Sequence, residues 1–79
     1  MRPEHHEARQ AVLTLLSLPE DTNDFDLFWG AYRHFHQPAQ PHICEGYARK
    51  GLEEYEKGED LPYWFRRVRD EAVRLGIGS

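Results

Sequence analysis

The chain has 79 residues, of which 39% are hydrophobic and 30% charged, and a formal net charge of −4. That length suits a single domain, and ten aromatic residues make it globular rather than disordered. No apolar run approaches the ~18–20 residues that span a bilayer, and the first ten residues lack the basic-then-apolar order of a secretion signal. One cysteine, Cys44, cannot close an intrachain disulfide, which points to a reducing cytoplasm.

Pro and Gly divide the chain into four segments, each with helical periodicity. The first is expected over about residues 3–18. Pro3 suits a first turn, Glu4 and Glu7 complement the positive helix end, and Pro19 stops the helix. Ala8, Ala11, Val12, Leu15, Leu16 and Leu18 recur at three- and four-residue steps and form its apolar face. His5 and His6, at the start, are expected to be solvated.

A polar linker follows, in which Thr22, Asn23 or Asp24 can cap a second helix over about 24–36. Phe25, Phe28, Trp29, Tyr32 and Phe35 repeat at helical spacing there. The eight residues Phe25–Tyr32 resemble the Phe-Trp-x-Ala-Tyr segment of some phage-type replication proteins, without the proline and lysines that follow it there. No residue role is carried across.

Pro38 and Pro41 bracket a loop, because a proline three positions after another cannot sit inside the same helix. A third helix is expected over about 42–57, with Ile43, Cys44, Tyr47, Ala48, Gly51, Leu52 and Tyr55 inward and Glu53, Glu54 and Glu56 in water. Gly46 and Gly51 each cost about 1 kcal/mol relative to alanine, so they mark either a close crossing or a weak helix. The last helix is expected over about 61–75, capped by Asp60. Leu61, Phe65, Val68, Ala72 and Leu75 give it the cleanest amphipathic stripe. Gly76 stands where a left-handed cap belongs.

The fold expected is all-α, a compact four-helix bundle whose short connections favour antiparallel neighbours. Its core is drawn from Val12, Leu15, Leu16, Phe25, Phe28, Tyr32, Leu52, Phe65, Val68 and Leu75.

Chemistry is harder to find. His34, His36, His42 and Cys44 are ligand types that zinc prefers, gathered in eleven residues. Positions two apart on a helix differ by about 200° around the axis, however, so neither pair can grip one ion. No metal or other cofactor is expected. Ser17 lacks the glycine-flanked elbow of hydrolases, no phosphate-binding glycine loop is present, and an enzyme is not expected.

Two surfaces remain. Arg66, Arg67, Arg69 and Arg74 lie beside Tyr63 and Trp64 on the last helix, a mixture able to track phosphates and stack bases. The competing expectation is that these arginines pair with the acidic third helix. The aromatic excess exceeds what one side of each helix can hide, and Trp, Tyr and Arg are enriched at interface hot spots. The expected function is therefore a small acidic, non-catalytic protein-interaction module, acting as an adaptor, regulator or inhibitor of the kind that phages and other mobile elements also encode. Its contact residues are expected among Trp29, Tyr63, Trp64, Asp24, Asp26, Glu53 and Glu56, against another protein or a second copy. Nucleic-acid binding through the arginine-rich last helix is the alternative.

Overall fold

In a computed structural model describing residues 3–77, four helices follow one another: α1 (Pro3–Leu15), α2 (Asp24–Phe35), α3 (Pro41–Glu56) and α4 (Tyr63–Arg74). The expected all-α, four-helix architecture is what the chain forms. Its radius of gyration is 11.4 Å, close to the ~11.6 Å of a folded chain this long. The side chains of Pro3 and Glu4 lie outside the described residues.

Helix ends follow local chemistry. α1 stops at Leu15, three residues before the expected end, because Ser17 turns left-handed at φ 58° and Leu18 N–H closes back on the Leu13 carbonyl at 2.9 Å. Asn23 caps α2, its side-chain oxygen accepting from Asp26 N–H at 2.8 Å. Pro41 occupies the first turn of α3. α4 begins at Tyr63 rather than 61, and Asp60 is not its cap; Pro62 holds that position and makes no side-chain capping bond. At the far end Gly76 takes φ 83° and Ile77 N–H reaches the Ala72 carbonyl at 2.9 Å, the expected glycine cap.

α2 is the hub. It packs along α3 on one side and against α4 on the other, while α1 rests chiefly on α4. α3 and α4 do not run along one another, so the expected antiparallel neighbouring fails for this consecutive pair. They touch instead where α4 begins, at Gly51. A Cβ there would lie 2.8 Å from Trp64 Cζ2, 3.0 Å from Pro62 Cγ and 3.1 Å from Phe28 Cδ2. The close-crossing reading of Gly51 is the right one. Gly51→Ala should therefore destabilise the fold by about 1–2 kcal/mol in urea unfolding, overpacking outweighing the gain in helix propensity. An unchanged or raised midpoint would show that the rings can yield.

The core centres on Phe28. Its ring stacks on Phe65 at 4.6 Å and meets Trp64 edge-on at 5.6 Å and Tyr55 at 5.5 Å. Val12, Tyr32, Phe65 and Val68 are buried as expected, and Leu15, Leu16, Phe25 and Leu52 pack against the core while partly exposed. Leu75 is not in the core: it lies one residue past the end of α4 and is exposed. Ile43 and Tyr47 also face outward, because α3 turns the small residues Cys44, Ala48 and Gly51 toward the rings of α2.

His5 overturns its expectation most clearly. It is only 2% exposed, lies 5.2 Å from the Tyr55 ring, and leaves Nδ1 buried without a hydrogen-bond partner among the described residues. The cause is register, since 5, 8 and 12 fall on one stripe of α1. Burying an unpaired polar atom is costly, so His5→Phe should raise stability by about 1 kcal/mol while keeping the ring contact. A loss of stability in thermal melts would indicate that the nitrogen is satisfied.

Burial also pushes the Tyr32 phenol above its ordinary range, with Tyr47 and Cys44 adding to the rise. Tyr55 shifts the same way, first through burial and then through Asp24, with Arg9 opposing. A phenol whose folded pKa is raised favours the folded state below the unfolded value and loses that contribution above it. Stability should hold up to about pH 10 and fall beyond it, and Tyr32→Phe should shallow the alkaline slope.

Candidate functional site

The surface with most chemical character lies where the C-terminal half of α2 meets the start of α4 and the middle of α3. Tyr32, buried at its centre, stacks against Tyr47 at 4.5 Å with the planes 7° apart, and meets Trp64 edge-on at 5.4 Å. One turn beyond Tyr32 on α2, Phe35 meets Tyr63 edge-on at 6.1 Å. These contacts make two adjacent groups of rings, Tyr47–Tyr32–Trp64 and Phe35–Tyr63, with outer members open to water. Phe35 is 39% exposed, Ile43 38%, Tyr47 47% and Tyr63 62%. Leaving such rings in water forgoes burial worth about 25 cal/mol per Å².

An open cleft of about 400 Å³ runs beside this cluster between α2 and α4, bordered by His34, Phe35, Arg67, Val68, Glu71 and Arg74. Its carboxylates are already engaged. His34 Nε2 pairs with Glu71, Arg74 lies 3.8 Å from the other Glu71 oxygen, and Arg69 holds Asp70 at 2.8 Å. Arg66 and Arg67 are exposed and form no ion pair with a described residue. The expected pairing of the α4 arginines with α3 therefore does not occur. Arg69 and Arg74 find partners within α4 itself, because α3 lies across α2 from them.

The other expected contact residues divide sharply. Trp64 is a core side chain, 8% exposed and enclosed by Phe28, Tyr32 and Phe65, so it offers no contact surface. Asp24 is tied to Arg9 at 3.1 Å, an anchor between α1 and α2 that Arg9 extends to the Thr22 carbonyl. Asp26 accepts from the Asn23 side-chain amide at 3.2 Å, and Glu53 holds Lys57 at 3.1 Å. Glu56 is exposed. Trp29 is half-buried, with the Arg33 guanidinium 5.4 Å from its ring centre. Tyr63 alone of that set sits in the exposed aromatic cluster. Phe35, Ile43 and Tyr47 were missed as surface residues; in sequence they continue helical stripes, and only the packing of small residues on α3 shows them facing out.

His34, His36, His42 and Cys44 do not converge. His34 serves Glu71, His36 leans on Tyr32 at 5.9 Å, His42 is exposed and Cys44 is buried. Among the described residues no group of three or more His, Cys, Asp or Glu side chains is placed to hold a metal ion. No helix among them is long and apolar enough to cross a membrane. Compared with known proteins, the chain matches no family model, no curated protein and no solved structure.

Proposed function

We propose that this chain is a non-catalytic protein-interaction module that acts as an adaptor, regulator or inhibitor through the exposed aromatic cluster of Phe35, Tyr47 and Tyr63. The observation that carries this reading is that three rings stay wet while held by ring contacts, Tyr47 on a buried ring and Phe35 and Tyr63 on each other. Tyr47 lies flat on Tyr32, and Tyr63 and Phe35 brace each other. Rigid, partly ordered rings lose little freedom when a partner covers them, which suits them as hot spots. A buried, unpaired cysteine is in keeping with a cytoplasmic setting.

Site-specific photocrosslinking tests this. A benzoylphenylalanine at Tyr63 or Tyr47 should capture one discrete protein in cells, while the same probe at Glu56 should not. Equal capture at all three positions, or none, would sink the reading.

One observation favours nucleic-acid binding as a second reading: Arg66 and Arg67 are exposed and unpaired with any described residue, one turn from Tyr63. A titration with single-stranded and duplex DNA and RNA at about 50 and 200 mM salt decides it. Phosphate contacts would make affinity fall steeply with salt, by roughly one unit of log–log slope for each arginine engaged.

A further inference from the structure

Charge around the aromatic cluster restricts what can cover it. Every acidic side chain bordering the neighbouring cleft is already held: Glu71 by His34, and Asp70 by Arg69. Arg67 on the same rim, and Arg66 next to it on α4 outside the cleft lining, are exposed and unclaimed by any described residue. The unsatisfied charge on this side is thus positive, although the whole chain is −4. A basic partner segment would find no free carboxylate at the cleft and would meet the free Arg67 guanidinium at its rim, with Arg66 beyond it. A second copy related by a two-fold axis through this face would bring Arg66 and Arg67 against their own counterparts, and like charges at close range oppose that pairing.

Building on the protein-interaction reading above, we propose that this face takes an acidic peptide segment carrying one large apolar side chain. The side chain enters the cleft against Phe35, whose ring Tyr63 braces from outside it. Carboxylates flanking it bind Arg66 and Arg67. The cleft, at about 400 Å³, has room for one such side chain. Guanidinium–carboxylate pairs supply orientation, and the apolar anchor supplies the buried contact.

The test is selection of a random twelve-residue peptide library on the intact protein. Single-stranded DNA is titrated in parallel, and Arg66→Glu/Arg67→Glu and Phe35→Ala/Tyr63→Ala serve as variants. All four positions are exposed, and unchanged circular dichroism would show that the variants fold. Selected peptides should be net acidic with a Trp, Phe or Leu, bind at least about tenfold more weakly to each double variant, and weaken as salt rises. Neutral or basic peptides that are lost on Phe35→Ala/Tyr63→Ala and kept on the arginine variant would overturn the acidic-segment proposal while leaving the protein-interaction reading standing. No selected peptide, with DNA bound through the same arginines, would overturn both.

Discussion

Phe28→Ala should lower the free energy of unfolding by about 3–5 kcal/mol, the cost of losing a fully buried ring and leaving part of its cavity unfilled. Few sites in the chain are so central. The Phe28 ring touches Phe65, Trp64 and Tyr55, so it joins α2 to both α3 and α4. α3 and α4 barely meet otherwise, and the surroundings cannot collapse into the gap without moving a whole helix. A chain of this length has a total stability of only about 4–12 kcal/mol, so the variant should be partly unfolded at 37 °C. Urea titration followed at 222 nm measures it. Phe28→Leu should recover more than half of the loss, because most of the volume returns. A deficit below 1 kcal/mol for the alanine variant would mean that the core is organised around a different residue.

Helix number and placement were legible in the sequence because Pro and Gly punctuate it and the apolar spacing between them is helical. Side-chain direction was legible where one stripe dominates, as on α4, and only in part on α3, where Cys44, Ala48, Gly51 and Tyr55 are buried as expected but Ile43 and Tyr47 are exposed. There the stripe facing α2 is Cys44, Ala48, Gly51 and Tyr55, and its first three members are small because the rings of α2 fill the space. The apolar pattern placed Ile43 and Tyr47 inward together with these small residues, whereas only the small ones and Tyr55 fit against the rings. His5 shows the converse. Its place on the stripe with Ala8 and Val12 was visible, yet its position at the start of the first helix argued for water. The burial of Trp64, by contrast, depends on where α4 crosses Gly51, a long-range fact that no local pattern contains. The arginines are similar, since whether they are paired is decided by which helix lies alongside.

The two tryptophans should therefore behave differently, although the sequence treats them alike. Trp64 is enclosed by Phe28, Tyr32 and Phe65, and its outer ring edge fills the notch left by Gly51. Trp64→Ala removes a buried indole from a helix crossing and should cost about 3–5 kcal/mol. Trp29 packs against the core on one side only and carries Arg33 over its ring, so Trp29→Ala should cost about 1–2 kcal/mol. Fluorescence of the single-tryptophan variants gives a check independent of stability. Emission from Trp64 in a Trp29→Phe background should lie to the blue of Trp29 emission in a Trp64→Phe background. A double-mutant cycle then tests the crossing itself. A Cβ at position 51 would come nearest to Trp64 Cζ2, an atom that phenylalanine lacks. Gly51→Ala should thus be less damaging by about 0.5–1 kcal/mol in the Trp64→Phe background than in the native chain. Purely additive costs would mean that Pro62 and Phe28, rather than the indole, set the closeness of α3 to the start of α4.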